Sequence, residues 1–301
     1  MPKKQQPDLS FARAAQLLLG PRNQLHIILV GCGGTGSWLA PSIARLARVL
    51  KESSRAVSVT FVDHDYVEEQ NIPRQNFCDA ELGMSKAVAL AHRYGAAWGL
   101  EIAVVPERLT QDTRLLDPRN LTIIVGCVDN AAARKAISLS LKMGGKSVRM
   151  GETPRVWWLD CGNSADNGQV LLGSAPSAGH LEGAFPAGKV CRALPSPALQ
   201  MPDLLVAKPE ELSDKKMSCA EMMAANMQSL AINQRVAAEA ADYLMRMLTG
   251  QPLKRFATYF DLKSGSARSK AITPEEVSRV IRKPIDFVQS INIAQTSGAR
   301  A

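Results

Sequence analysis

The stretch HIILVGCGGTGSWLAPSIARLARVLKE, residues 26–52, decides the fold. Its first part, HIILVGCGG at 26–34, is an apolar run that ends in glycines, which predicts a buried parallel strand. From 37 to 52 apolar residues recur at helical spacing, and Pro41 lies near the helix start, where proline is tolerated. A strand, a glycine turn and a helix in this order predict the first unit of a doubly wound sheet.

The alternation of strands and helices continues along the first half of the chain. Strands are predicted at 57–65, 101–109 and 121–130, and helices from Ser85 and at 131–144. This pattern predicts the α/β class, with a Rossmann-like, doubly wound and mostly parallel sheet. Ligands of such sheets bind beyond the carboxyl ends of the strands, where the glycines and two aspartates of this chain fall.

The second half changes character and predicts antiparallel strands that extend the sheet. Two strands, at 155–163 and 168–173, pair across a polar turn, and a hairpin closes the fold. A loop over 173–217 precedes a long helix whose alanines and methionines suggest close packing, against a second subunit in one interpretation. We expect an N-terminal helical arm at 1–24, one main domain at 25–273 and a tail at 274–301 with a short helix at most.

Composition sets limits on location and partners. The 301-residue chain has no apolar run of 18 residues, so no membrane span is expected. None of its six cysteines forms a Cys-x-x-Cys pair, which argues against structural zinc and favours a reducing cytoplasm. The net charge of +8 suggests an anionic partner such as a nucleotide, an acidic protein or nucleic acid, although a solvated basic surface is equally open.

The glycine turn and the next strand end predict a nucleotide site. Four glycines, which let backbone amides approach a phosphate at a helix N-terminus, are Gly31, Gly33, Gly34 and Gly36. Asp63 ends the second strand, where an acid binds ribose hydroxyls in dinucleotide enzymes. The alternative is a tight strand-to-helix turn that binds nothing.

Two cations and a third strand end favour a triphosphate over a nicotinamide. Arg74 and Lys86 follow the ribose position, and paired cations stabilise charge that develops as pyrophosphate leaves. Asp129 lies at the end of the fourth strand and could hold Mg²⁺ between phosphates. The alternatives are surface cations and, for Asp129, a helix N-cap.

These motifs, in this order, resemble the ThiF/MoeB/ubiquitin-activating enzyme superfamily. The matching elements are GCGGTG at 31–36, Asp63, NIPRQ at 71–75, Lys86, and VDN at 128–130 followed by Arg134. The resemblance covers about residues 25–272 and makes the main domain a ThiF-like adenylation domain. The tryptophan-containing hairpin and the long loop look closest to the ThiF family protein of the PRTRC plasmid system.

The resemblance implies adenylation of the C-terminal glycine carboxylate of a small ubiquitin-like, β-grasp protein, with ATP as the substrate that is consumed and Mg²⁺ as the bound metal. No zinc is expected, because the Cys-x-x-Cys pairs are missing. It also implies a homodimer. The implied nucleotide-binding residues are the four glycines, Asp63, Asn71, Arg74, Gln75, Lys86, Asp129 and Asn130, with Asp129 as the metal ligand. Arg74 and Lys86 would act catalytically by neutralising phosphates, and no general base is needed because the nucleophile is already ionised.

A cysteine could receive the activated carboxylate. Cys219 lies where sulfur-transfer members of the superfamily keep such a cysteine, at a predicted helix start after two lysines, which lowers a thiol pKa. Cys191, in the predicted loop beside Lys189 and Arg192, is the rival. Each also fits an ordinary cysteine.

Departures from the superfamily pattern keep other functions open. The spacing from Arg74 to Lys86 is one residue shorter than in typical members, and no clear N-terminal arginine motif completes the site, although Arg13 and Arg22 are available. These departures favour a nucleotide-binding adaptor in a plasmid-associated complex. Adenylation of a small molecule or of a tRNA carboxylate is another alternative, and a nicotinamide oxidoreductase comes last.

Overall fold

The computed structural model describes residues 9–20, 24–111, 113, 116, 120–145, 153–186, 189–207 and 219–289. Of residues 143–145 and 219–229 it describes the backbone alone. Within these ranges the strands are β1 (Gln16–Leu17), β2 (Gln24–Val30), β3 (Ala56–Val62), β4 (Ile102–Val105), β5 (Leu121–Gly126), β6 (Val156–Asn163), β7 (Asn167–Gly173), β8 (Val190–Cys191), β9 (Arg255–Asp261) and β10 (Ser266–Ala271). The helices are α1 (Ser10–Arg13), α2 (Gly34–Glu52), α3 (Lys86–Trp98), α4 (Ala131–Gly145), α5 (Pro197–Gln200), α6 (Cys219–Leu248), α7 (Pro274–Ile281) and α8 (Ile285–Val288).

An eight-stranded sheet forms the centre of the fold, in the order β10-β9-β7-β6-β5-β2-β3-β4. The pairs from β6 to β4 are parallel, and the pairs from β6 to β10 are antiparallel. The predicted fold class is therefore confirmed, and so is the predicted antiparallel extension. β2 lies between β3 and β5, so the glycine turn that follows it lies near the middle of the carboxyl edge.

Helices cover both faces of the sheet, which explains why the central strands are apolar throughout. Ile27 and Leu29 of β2 belong to the larger core, together with residues of α2 and α6. Ile28 and Val30 face the opposite side and pack with Ile137 of α4. The sheet therefore separates two apolar layers, and the helices hold its carboxyl edge in place.

The apolar face of α6 packs within the chain. Ile232, Val236, Ala240 and Tyr243 are fully buried in the larger core, and α6 contacts α2, β6 and β7. This described part of the helix is not an open surface awaiting a second subunit. The homodimer stays a prediction that this face does not support.

Both chain ends differ from expectation. The predicted N-terminal helix is wrong in extent: in the described part of 1–24, only α1 is helical, and β1 pairs in parallel with β8. The predicted tail contains two short helices, and Val277 and Val288 are fully buried in the core. Burial of apolar side chains, which the local pattern did not reveal, fastens this segment to the main fold.

The predicted long loop is largely a folded segment. Over the described residues 174–186 and 189–207, Leu181, Phe185 and Leu194 are buried in the larger core. The backbone N–H groups of Ser174 and Ala175 both donate to Leu194 O at 2.9 Å, which holds the segment against β7. An exposed loop is therefore wrong for these residues, while 208–217 lie outside the described residues.

No helix in the described ranges combines the length and the apolar composition that crossing a membrane requires.

The packing of this segment on β7 predicts the effect of Gly173→Ala. The added β-carbon would lie 1.9 Å from Pro195 O and 2.6 Å from the Ser196 α-carbon, so backbone must move. We expect a loss of about 1–3 kcal/mol in the free energy of unfolding, measured by urea titration. Gly179→Ala is the control, because its nearest neighbour would be the end of a serine side chain at 4.0 Å. Equal stability of both variants would contradict the packed segment.

Candidate functional site

The glycine turn between β2 and α2 is shaped by two close approaches. Gly31 has φ +87°, and a β-carbon there would lie 2.6 Å from Cys127 O. A β-carbon on Gly36 would lie 1.9 Å from Gly31 O. The turn therefore requires glycine for its own geometry, and it leaves the N-terminus of the 19-residue helix α2 at the carboxyl edge. Amides at such a terminus favour an anion.

Asp63 ties the end of β3 to this turn. Its Oδ2 accepts the Cys32 backbone N–H at 2.5 Å, and its Oδ1 accepts the Asp65 N–H at 2.8 Å. Burial raises the pKa of the Asp63 carboxyl, and the two backbone hydrogen bonds partly offset that effect. The carboxylate retains lone pairs for a ribose, and ribose binding by Asp63 stays a prediction.

Lys86 brings a buried cation to the same place. It is the first residue of α3, its side chain is 8% exposed, and its Nζ lies 3.1 Å from Asp65 Oδ2. Lys86 also acts electrostatically on Asp63 and on Cys32, so it lies close to the turn. A buried ammonium needs a counter-ion, and Asp65 supplies it in the protein alone.

Sequence reasoning missed Asp65 and Arg108. The sequence signal for Asp65 is a second acid two residues after Asp63. Arg108, beyond the end of β4, places Nη2 2.8 Å from His64 Nε2, which in turn lies 3.2 Å from Asp65 Oδ1. The strand end therefore carries an acid–base cluster, and His64 belongs to it.

The NIPRQ segment folds back onto the turn. Asn71 Oδ1 accepts the Glu68 N–H at 3.0 Å, and Asn71 O accepts the Gln75 N–H at 2.9 Å, so Asn71 shapes the loop. The Gln75 amide lies 3.8 Å from where a Gly33 β-carbon would be. Among the described residues, Gln75 Oε1 and Arg74 Nε are buried without a hydrogen-bond partner. These two polar atoms are therefore available to a ligand or to water at the turn.

Asp129 and Asn130 follow β5 and have different roles in the protein. Asn130 caps α4, because its Oδ1 accepts the Ala133 N–H at 2.9 Å. The alternative in which Asp129 is the N-cap is therefore wrong. Asp129 is exposed and accepts only a 3.3 Å contact from the Asn130 amide among the described residues. An exposed carboxylate of this kind fits Mg²⁺, which keeps several waters and binds one or two carboxylates plus phosphates.

Comparison with known proteins identifies the family. The family model described as "ThiF family" matches residues 21–276, which is most of the chain. This chain belongs to the ThiF family. That membership supports an ATP-dependent adenylating enzyme of the E1-like superfamily. No curated protein sequence matches the chain.

Solved structures share the fold at low sequence identity. The crystal structure of selenomethionine PaaA is 16% identical, with a TM-score of 0.53 over 89% of this chain and 68% of that one. Escherichia coli MccB is 12% identical, with a TM-score of 0.50 over 88% and 65%. MccB with selenomethionine MccA has the same identity and TM-score over 88% and 66%. This ThiF-family chain thus spans about two thirds of each neighbour, and the likeness shows the fold alone.

A second buried ion pair lies one helical turn beyond Asn130. Arg134 Nε donates to Asp160 Oδ1 at 3.1 Å, and both side chains are buried. Burial raises the pKa of Asp160, while Arg134 lowers it in part. The pair joins α4 to β6 in this ThiF-family fold.

The structure tests the proposed reactivity of one candidate cysteine, Cys191, but not of the other, Cys219. Cys191 is fully buried, its Sγ donates to Ala193 O at 3.1 Å, and burial raises the pKa of the thiol. A reactive thiolate in a flexible loop is therefore wrong for Cys191. Cys219 begins α6, but its side chain and Lys215 and Lys216 lie outside the described residues, as does Arg22. Its role stays a prediction.

The Arg134–Asp160 pair predicts a large cost for removing one partner. Asp160→Ala leaves a buried guanidinium without its counter-ion, and we expect a loss of about 3–5 kcal/mol in the free energy of unfolding. Asp166→Ala is the control, because its partner Lys263 is 78% exposed, and we expect a change below about 1 kcal/mol. Denaturant titration measures both variants, and equal losses would show that the buried pair is not special.

Proposed function

We propose that this protein activates a carboxylate with ATP, forming an acyl-adenylate and releasing pyrophosphate. One observation carries the proposal: Lys86 is a buried cation beside a glycine turn whose helix N-terminus faces the same edge, next to Asp63. Burying a charge costs roughly several kcal/mol unless it is compensated, and the counter-ion of Lys86 is Asp65, whose carboxylate is half-exposed. A phosphate could replace that exposed carboxylate beside Lys86, which supports a role toward an anionic ligand. Membership in the ThiF family supports the same chemistry.

Under this proposal, each side chain of the site binds a different part of the nucleotide. Asp63 would hold the ribose, while Asn71, Arg74, Gln75 and Lys86 would hold the phosphates against the amides of Gly31, Gly33, Gly34 and Gly36. The acceptor carboxylate attacks the α-phosphorus. The bond between the α-phosphorus and the oxygen that bridges to the β-phosphate then breaks, and pyrophosphate leaves with the negative charge that develops on that oxygen. Arg74 and Lys86 stabilise that charge, which is why they would be the catalytic residues.

Asp129, beside Asn130, would hold a magnesium ion, which neutralises phosphate charge when bound. Its exposed carboxylate and its place after β5 support this role. Because Gly31 approaches Cys127 O, the segment leading to Asp129 lies against the glycine turn. A single protein carboxylate suffices, since the phosphates and waters complete the coordination.

The acceptor we propose is the C-terminal carboxylate of a small ubiquitin-like protein, as the resemblance to the PRTRC-system ThiF family implies. A homodimer and a thioester at Cys219 belong to the same proposal. The support is the order of motifs along the chain. Specific binding of such a partner, and ATP–pyrophosphate exchange that depends on its terminal carboxylate, would test the acceptor.

Lys86→Met tests the phosphate role. The variant keeps most of the apolar stem but loses the cation, and we expect ATP–pyrophosphate exchange to fall by at least about 100-fold. Lys263→Met, which removes an exposed lysine paired with Asp166, is the matched control and should retain exchange. Circular dichroism establishes that both variants are folded. Full exchange by folded Lys86→Met would contradict the assignment.

Asp129→Ala tests the metal role. We expect the Mg²⁺ concentration for half-maximal exchange to rise by about tenfold or more, because one ligand is lost while the phosphates still bind the ion. Asp166→Ala removes a carboxylate elsewhere and should leave the Mg²⁺ dependence unchanged. An unchanged Mg²⁺ dependence in Asp129→Ala would assign the metal to another group, for which Asp63 and Asp65 are described acids near the turn.

The adaptor alternative has its own outcome in these experiments. The Lys86–Asp65 contact favours it, because the cation is already compensated in the protein alone. An adaptor would bind ATP but would show no ATP–pyrophosphate exchange with any acceptor. Exchange by the natural protein would exclude it.

A further inference from the structure

A cavity of about 320 Å³ lies between the end of β6, the start of β7 and the segment 201–206. Its size falls within the range of pockets that bind small ligands, at the lower end. None of the nucleotide-binding residues proposed above lines it. It is therefore a separate feature that the proposed nucleotide site does not use.

One end of the cavity carries hydrogen-bond donors with spare capacity. A β-carbon on Gly162 would lie 3.3 Å from Arg134 Nη2 and 2.9 Å from Gln169 Nε2, so both groups lie close to this glycine. Among the described residues, the Arg134 side chain donates to Asp160 through Nε alone, although a guanidinium has five N–H donors. Gln169 Nε2 donates to the weak acceptor Met201 Sδ at 3.5 Å.

The remaining walls combine apolar residues with the polar residues Ser164 and Asn167 and with Asp203, an acid that is exposed to solvent. Met201, Leu204 and Val206 come from the segment that the sequence predicted as a loop, and Tyr259 and Phe260 come from β9. Val206 is 63% exposed, so the apolar wall reaches the surface. A ligand that fits both ends has an anionic group beside an apolar group.

The cavity adjoins the glycine turn through Asn163. This residue lines the cavity, and its Nδ2 donates to Thr35 Oγ1 of α2 at 3.2 Å. Arg134 lies one turn of α4 after Asn130, since the Arg134 N–H donates to Asn130 O at 3.4 Å. A carboxylate held at the donor end would therefore lie next to the proposed nucleotide site.

We propose that this cavity binds the terminal residue of the acceptor and that this residue carries an apolar side chain, where the family resemblance implies glycine. Arg134 and Gln169 orient the carboxylate, and the wall of Met201, Leu204 and Val206 receives the side chain. The inference rests on the proposed adenylation for its biological meaning. Binding itself needs no ATP, which separates the two tests.

The first test measures binding of three small probes to the natural protein by calorimetry: N-acetyl-leucine, N-acetyl-leucinamide and N-acetylglycine. We expect N-acetyl-leucine to bind at least about tenfold more tightly than the amide, which lacks the charge, and than the glycine probe, which lacks the side chain. Equal binding of acid and amide, or no binding of any probe, would overturn the proposal.

Two variants locate the binding. Gln169→Glu places a negative charge beside Arg134 and should weaken N-acetyl-leucine by more than about tenfold while leaving ATP affinity unchanged. Gln24→Glu, at the opposite end of the parallel sheet, is the matched control. Val206→Ser, at an exposed position, should weaken the binding of N-acetyl-leucine but not that of N-acetylglycine. If Gln169→Glu does not fold, this variant tests the location of the ligand by itself. Unchanged affinity in Val206→Ser and in folded Gln169→Glu would place the ligand elsewhere.

Exchange with peptide acceptors then separates this inference from the proposed function. Peptides ending in leucine should support ATP–pyrophosphate exchange better than otherwise identical peptides ending in glycine. A preference for glycine would overturn the inference and keep adenylation. Carboxylate-dependent binding of N-acetyl-leucine without exchange for any acceptor would keep the cavity assignment and overturn adenylation.

Discussion

The carboxylate of Asp63, bonded to the Cys32 backbone N–H, holds the candidate site together. This one contact joins the end of β3 to the turn after β2, and the second oxygen holds the Asp65 N–H, which begins the loop toward Lys86. Burial of a carboxyl is unfavourable by itself, as its raised pKa shows. The two backbone donors offset that cost, so the strand ends keep a defined geometry before any nucleotide arrives.

Charge compensation is the second constraint on the site. Lys86 and Arg134 are both buried, and each lies 3.1 Å from an aspartate oxygen. The two pairs differ in exposure: Asp65 is half-exposed, whereas Asp160 is fully buried and keeps Arg134 in place. A pair with one exposed partner fits the proposed role of Lys86 toward a ligand, and a fully buried pair fits the proposed role of Arg134 in orienting one.

The strand–helix order could be predicted because each local pattern agreed with the final structure. Apolar runs such as 121–126 become buried parallel strands, and Gly31 and Gly36 appear where a turn needs residues without a β-carbon. The arm at 1–24 and the segment 174–207 could not be predicted in this way. Their apolar residues have no clear period, and their burial depends on partners far away in the chain. Phe185, for example, pairs with Gln289 through a β-bridge.

The sequence by itself determined the fold class, the order of the nucleotide motifs and hence the family, because period and spacing are properties of neighbouring residues. Only the tertiary structure decided which polar groups meet. Asp65 contacts Lys86, Asn130 rather than Asp129 caps α4, Cys191 is buried, and Gln169 and Arg134 both lie beside Gly162. Each of these depends on strands and helices far apart in the chain being brought within a few ångströms by packing, which no local pattern encodes.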